Sequence, residues 1–310
     1  MTETLMIAPM PEMVAEQLRE LGPLHDYAGA ADKDALLAEI GPHVTTAVAM
    51  GGFPGELHDR LPNLQLISSY GVGYDGIDVP LASRHGVAVT NTPDVLSDAV
   101  AELTVGMMLA YDRMIPQAET YVRAGDWAAK GMFPLTRQLA GSKAGIFGLG
   151  RIGKEVASRL SAMKVEVAYH GRREQAGQPY RYYASLAEMA ADVDWLVSIA
   201  PGGAETHHAI DAEVLRALGP DGRVLNIGRG SVIDEAALVA ALKAGEVGGA
   251  ALDVFEDEPR PNPDLLTMSN VLLQPHNGSA THATRQAMGQ LVVDNVKAHL
   301  AGAPLLTKID

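Results

Sequence analysis

The chain contains no cysteine. Disulfides, zinc thiolates and a cysteine nucleophile are therefore excluded, and no metal site is expected. No stretch reaches the ~18 consecutive apolar residues of a membrane span. The opening residues, Met1-Thr2-Glu3-Thr4-Leu5-Met6-Ile7-Ala8-Pro9, have neither a basic leader nor a long apolar core, so no signal peptide is expected. Positive charge is scarce. The 24 Lys and Arg face 38 Asp and Glu, a formal net charge of −14. That balance argues against nucleic acid or an anionic membrane as partner. Low-complexity tracts and short-period repeats are missing too. What is left is a soluble protein, expected in the cytoplasm, whose cationic residues are local and purposeful.

With 310 residues and 47% hydrophobic content, the chain is long enough for two domains with their own cores. Strand and helix patterns alternate throughout, which predicts an α/β fold with parallel sheets. In the first hundred residues strands are expected at Leu5–Ile7, Val44–Met50, Leu64–Ser68 and Val87–Thr90, with helices at Glu12–Leu21 and Asp34–Ile40. Ser97–Met114 reads as a long amphipathic helix capped by Ser97, with Asp98 in its first turn and Val100, Leu103, Met107, Met108 and Tyr111 on one face. Later strands are expected at Val165–Tyr169, Trp195–Ala200, Val224–Ile227, Ala250–Val254 and Val271–Leu273. A last helix, Thr281–Leu300, carries Met288, Leu291, Val292 and Val296 on one face and stops at Gly302.

A glycine-rich turn lies near the middle of the chain: Gly148-Leu149-Gly150-Arg151-Ile152-Gly153. The apolar run Ala144–Phe147 leads into it and a helical pattern, Lys154–Met163, leads out. In that setting GxGxxG is a dinucleotide fingerprint. Gly148 permits the tight turn, Gly150 lets backbone N–H groups approach a pyrophosphate, and Gly153 lets helix and strand pack closely. A dinucleotide domain opens with its fingerprint, so a separate domain is expected upstream. The expected division is residues 1–98 plus 283–310, a flavodoxin-like substrate domain, against 99–282, the nucleotide domain. The cleft between them is the expected active site.

The strand after the fingerprint ends in His170-Gly171-Arg172-Arg173. An NAD site usually places Asp or Glu there to bond the ribose 2′-OH. A carboxylate would repel a 2′-phosphate, whereas guanidinium groups bind one bidentately. The expected cofactor is therefore NADP(H), read by Gly171, Arg172 and Arg173. The plainer alternative leaves both arginines as solvated loop charges.

Ligands of open α/β sheets bind at the carboxyl ends of strands. Three residue types with complementary chemistry fall there: Arg229 after Val224–Gly228, Asp253 with the Glu256-Asp257-Glu258 run, and His276 after Val271–Pro275. Arginine can bind a carboxylate and polarise a carbonyl. Histidine can donate a proton as hydride arrives, and a carboxylate can hold the imidazolium. Each residue alone has a bland reading as a solvated charge or loop cap; three at successive strand ends do not. His207 and His208, beyond Pro201 in a strand-end loop, are near enough in sequence to approach the cofactor, with a structural role the favoured reading.

These residues resemble the D-isomer-specific 2-hydroxyacid dehydrogenases over nearly the full length. The carrying motifs are Gly71-Val72-Gly73-Tyr74-Asp75-Gly76-Ile77-Asp78, the fingerprint, Asn226-Ile227-Gly228-Arg229-Gly230, Leu252–Pro259 and Gln274-Pro275-His276-Asn277-Gly278-Ser279. The resemblance implies two Rossmann-like domains and a homodimer, with the helix beginning near Ser97 at the interface. It implies that Arg229 binds substrate, that His276 is the acid/base paired with Glu258, and that Val72 and Gly73 amides hold the substrate carboxylate. It implies that Asp253 contacts the nicotinamide carboxamide. Leu149, Gly150, Arg151, Ile152, Pro201, Thr206, Ile227 and Gly278 would complete the cofactor site. The double arginine resembles the NADPH-preferring glyoxylate/hydroxypyruvate and hydroxyphenylpyruvate reductase branch. Asn277 departs from the apolar residue or histidine of many members. Met50, Trp127, Met132 and Phe133 are candidates to shape the pocket.

The expected function is NADPH-dependent reduction of a small 2-keto acid of the glyoxylate/hydroxypyruvate type. Larger keto acids such as hydroxyphenylpyruvate are the alternative. Formate oxidation is disfavoured, because those relatives pair the histidine with glutamine where this chain has Glu258. A nicotinamide-sensing binding protein of the same fold is the rival from another class. Such proteins carry extra interaction segments, and here the chain ends soon after its last helix.

Overall fold

The computed structural model describes residues 3–309; Met1, Thr2 and Asp310, the outermost residues of the expected first domain, lie outside the described residues. The chain forms two compact units: the segment up to Leu96 with the segment from Thr281 onward, and Ser97–Ala280. These divisions fall two residues before the expected ones at each boundary.

The first unit is built on a five-stranded parallel sheet. Its strands are β1 (Glu3–Met6), β2 (Leu24–Asp26), β3 (Val44–Ala49), β4 (Leu66–Ser69) and β5 (Ala88–Thr90), in the order β2-β1-β3-β4-β5. This is the flavodoxin-like order. The inner strands are buried on both faces, with Leu5, Ala47 and Ile67 in the core, as fully covered parallel strands require. The helix His282–Leu300 belongs to this unit and buries Met288, Val292, Val293 and Val296. It approaches Glu12–Leu21 closely: a Cβ on Gly289 would stand 2.4 Å from a Val14 methyl. Buried Asn295 ties down the tail, accepting from the Leu306 and Thr307 N–H groups and donating to the Thr307 hydroxyl.

The second unit carries seven parallel strands: β6 (Lys143–Phe147), β7 (Glu166–His170), β8 (Arg181–Tyr183), β9 (Trp195–Ser198), β10 (Arg223–Asn226), β11 (Gly249–Leu252) and β12 (Val271–Leu273). Their order is β12-β11-β10-β9-β6-β7-β8. Numbered from the first strand of the unit, that is the doubly wound Rossmann order, extended by one strand. Strand order reverses between β6 and β9, so the switch point lies at their carboxyl ends. The long helix is Ser97–Asp112, with Ser97 as its first residue and not its cap. Its buried face includes Val100, Met107 and Met108, and Asp98 pairs with Arg159 of the helix Arg151–Ala162. At the far end Asp112 is buried. It accepts from the Trp195 indole N–H and from Arg223, both at 3.1 Å. Among the described residues no helix is long and apolar enough to cross a membrane.

Candidate active site

The site in the second unit begins at the switch point. Gly148 leaves β6 with φ +105°, and a Cβ there would stand 3.0 Å from the Ala200 nitrogen after β9. A Cβ on Gly153 would press to 2.2 Å from the Gly148 carbonyl. Both positions therefore need glycine. Gly150 differs: a Cβ there would meet nothing within 4 Å. Gly150 caps the helix Arg151–Ala162, and no side chain caps that helix end. An open, electropositive helix start over a glycine turn fits a pyrophosphate. Arg172 and Arg173 are exposed on the loop after β7, which fits a 2′-phosphate. The residues present thus suit a phosphorylated dinucleotide. Leu149, Arg151 and Ile152 lie in this turn, and Gly171 opens the arginine loop. Pro201 and Thr206 follow β9, where the Thr206 hydroxyl closes the loop on the Pro201 carbonyl at 2.6 Å.

Arg229 follows β10. Its backbone is set by Asn226, a buried residue absent from the expected site. The Asn226 amide donates to the Arg229 carbonyl at 2.9 Å and accepts from the Gly228 N–H at 3.1 Å. Arg229 itself donates to the Gly228 carbonyl. Neighbouring Ile227 is buried and continues the sheet through Ser198.

Asp253 directly follows β11 and is buried. Its carbonyl accepts from the His276 N–H at 2.8 Å. Its carboxylate accepts from the N–H groups of Asn277 at 2.6 Å and Gly278 at 2.9 Å. Three consecutive amides of the β12 loop are thus held by one residue. Burial pushes the Asp253 carboxyl up, against the pull of those two N–H groups. Within this clamp His276 adopts φ +53°, a left-handed conformation uncommon outside glycine.

Glu258 completes the group. One carboxylate oxygen lies 2.7 Å from His276 Nδ1 and the other accepts from the Phe255 N–H at 3.0 Å. Burial opposes the Glu258 charge. The His276 contact, the Phe255 N–H and the Arg229 charge outweigh it and hold the carboxyl below the usual glutamate range. An ionised Glu258 can only accept, so His276 Nδ1 is the donor of this pair. Nε2 is left as the nitrogen that can exchange a proton with a ligand. The His276 side chain is 48% exposed, so that nitrogen can be approached.

Arg229, Glu258 and His276 therefore stand on one edge of the second sheet, at the carboxyl ends of adjacent parallel strands. Val72 and Gly73 belong to the first unit, in the loop after β4. Asn91 donates to the Val72 carbonyl at 2.9 Å, and the Thr92 N–H donates to the Gly71 carbonyl. Of the pocket candidates, Trp127 and Met132 are exposed, Met50 is in the first unit, and Phe133 packs edge-on against Tyr121. His208 has a partner the sequence did not disclose: its ring meets Glu256, in the loop that carries Glu258.

Comparison with known proteins gives a consistent picture. Hydroxyphenylpyruvate reductase of Plectranthus scutellarioides is 43% identical over 307 residues, covering 98% of each chain. Glyoxylate/hydroxypyruvate reductase A of Arabidopsis thaliana is 40% identical with the same coverage. An NADPH-dependent glyoxylate/hydroxypyruvate reductase from Sinorhizobium meliloti, solved with NADP and malonate, superposes with a TM-score of 0.95. It is 44% identical over 99% of this chain and 96% of that one. Residues 105–278 match the family described as D-isomer specific 2-hydroxyacid dehydrogenase, NAD binding domain. With its nucleotide turn, arginine, glutamate and histidine at the strand ends of that matched region, the chain belongs to the D-isomer-specific 2-hydroxyacid dehydrogenase family.

Proposed function

We propose that this chain reduces a small 2-keto acid of the glyoxylate/hydroxypyruvate type to the 2-hydroxy acid, with NADPH as reductant. The observation that carries the reading is the 2.7 Å His276–Glu258 pair beside Arg229 at the strand ends. The relatives' names support the substrate class. The bound cofactor supplies a hydride to the carbonyl carbon. Arg229 binds the substrate carboxylate and draws electron density toward the carbonyl oxygen. The family resemblance adds Val72 and Gly73 as backbone-amide donors to the substrate. As the oxygen gains charge, His276 gives it the proton on Nε2, and Glu258 stabilises the charged imidazole before transfer. Asp253 holds the His276 loop and would contact the nicotinamide carboxamide of a bound cofactor. Leu149–Ile152 take the pyrophosphate, Arg172 and Arg173 the 2′-phosphate, and Pro201, Thr206, Ile227 and Gly278 line the rest.

Hydroxyphenylpyruvate is the second reading, favoured by the Plectranthus relative. The homodimer and the cytoplasmic location belong to the same proposal. The test is NADPH consumption with glyoxylate, hydroxypyruvate, hydroxyphenylpyruvate and 2-ketogluconate, scored as kcat/KM. His276→Ala should lower kcat by roughly 10²–10⁴-fold, the usual weight of general acid catalysis. No turnover with any keto acid, alongside tight NADPH binding, would favour the sensor.

A further inference from the structure

The arginine loop is joined to the glycine-rich turn at both ends. On entry, the Gly148 N–H donates to the His170 carbonyl at 3.0 Å. On exit, the Gln175 side-chain amide donates to the Leu149 carbonyl at 2.8 Å. The loop thus rests on two consecutive residues of the turn. Two tyrosines add to this frame. The Gln175 N–H donates to the Tyr169 hydroxyl at 2.7 Å, and the Tyr182 hydroxyl donates to the Gly171 carbonyl at 3.2 Å. Tyr169 is buried and its ring lies against Tyr182, so the frame is anchored in β7 and β8. Between these ties Arg172, Arg173 and Glu174 are exposed.

That arrangement bears on selectivity. Arg172 and Arg173 attract a phosphate, and the adjacent Glu174 repels it. An untethered loop would present either sign and would lose conformational freedom on binding. A loop fixed at both ends presents one set of charges and has already lost that freedom. We infer that Gln175 is a specificity-determining positioning residue, which presets the Arg172–Arg173 loop on the Leu149 turn for the 2′-phosphate of NADP(H). The inference rests on the proposed reading that those arginines meet the phosphate.

Two fragments separate the possibilities: adenosine 2′,5′-bisphosphate, which carries the 2′-phosphate, and adenosine 5′-monophosphate, which lacks it. Binding of each to the full chain is measured by calorimetry. The proteins are wild type, Gln175→Met, the Arg172→Ala/Arg173→Ala pair, and the triple variant. Methionine keeps the length of Gln175 and removes its side-chain amide donor, while the backbone N–H to Tyr169 stays. Loss of one such hydrogen bond should weaken the bisphosphate roughly three- to tenfold and leave the monophosphate nearly unchanged. In the arginine-free background Gln175→Met should leave the ratio of the two affinities where it is, because no loop charge remains to position. Tyr169→Phe, which removes the other Gln175 acceptor, should move the ratio in the same direction. An unchanged ratio in Gln175→Met, or equal weakening of both fragments, overturns the inference. So does additive loss in the triple variant. If the arginine pair leaves the ratio at its wild-type value, the phosphate reading itself fails, and with it any role for Gln175 through those arginines.

Discussion

His276 and Glu258 are paired at 2.7 Å, and the pairing has a signature in stability. Glu258 titrates below the usual glutamate range in the folded chain: burial opposes its charge, but His276, the Phe255 N–H and Arg229 outweigh burial. A carboxylate with a depressed native pKa stabilises the fold above its unfolded pKa, near ~4.3 for glutamate. That contribution disappears as pH falls through the lower native value. Glu258→Gln should therefore unfold at lower urea than wild type at neutral pH, and the two curves should converge on acidification through the carboxylate range. Parallel curves at every pH would mean that Glu258 has no ionic role. Which residues occupy the strand ends was legible in the sequence, because glycine and proline punctuate them: Gly228 before Arg229, Pro275 before His276. How they are held was not. Asp253 reaches Asn277 and Gly278 across 24 and 25 positions, and Gln175 reaches Leu149 across 26. Hydrogen bonds of that span leave no periodic trace, and the φ of His276 follows from them.

At the scale of elements, the helix Ser97–Asp112 is fastened to the sheet by a buried charge. Asp112 and Arg223 are paired at 3.1 Å with almost no solvent exposure, and Trp195 of β9 donates to the same carboxylate. Arg223 also reaches the Asp221 carbonyl at 2.8 Å. Asp112→Ala would strand the guanidinium, a change that costs about 3–5 kcal/mol in buried pairs. The remaining carbonyl contact points to the lower end. Asp112→Leu/Arg223→Met should recover much of the loss, because both charges then leave together. Trp195 is buried and Trp127 is exposed, so the fluorescence change during urea unfolding of each variant follows this junction. Equal destabilisation by the single and double changes would show that packing, not stranded charge, matters here. Elements with a clear apolar pattern were readable: the periodic helix Glu12–Leu21 and the short strand Val271–Leu273, an unbroken apolar run, have the expected limits. β2 and β8 were not. Each has three residues at a sheet edge, too few to show alternation, and each is a strand because its neighbour pairs with it. The helices Ile115–Arg123 and Asp126–Lys130 also went unread, since neither buries a residue.

At the scale of the whole molecule, five of the eleven large apolar side chains exposed among the described residues fall in one stretch, and the other six are scattered along the chain. Ile115, Val122, Trp127, Met132 and Leu135 all lie within it, with Trp127 64% and Leu135 94% exposed. Such a concentration marks an interaction surface, and the homodimer of the proposed function gives it an occupant, a second copy of the same chain. In that reading residues 115–135 contribute to the contact. Light scattering coupled to size exclusion should report twice the chain mass for wild type. Ile115→Asp/Leu135→Asp should shift the mass toward one chain without lowering helical content, because both side chains already face solvent in the single chain. The salt dependence has a definite sign. Each copy carries a formal charge of −14, so association brings like charges together, and added salt screens that repulsion. An apolar contact between acidic copies should therefore tighten as ionic strength rises from ~0.05 to ~0.5 M. A dimer that loosens over that range would be held by ion pairs, and the apolar stretch would need another explanation.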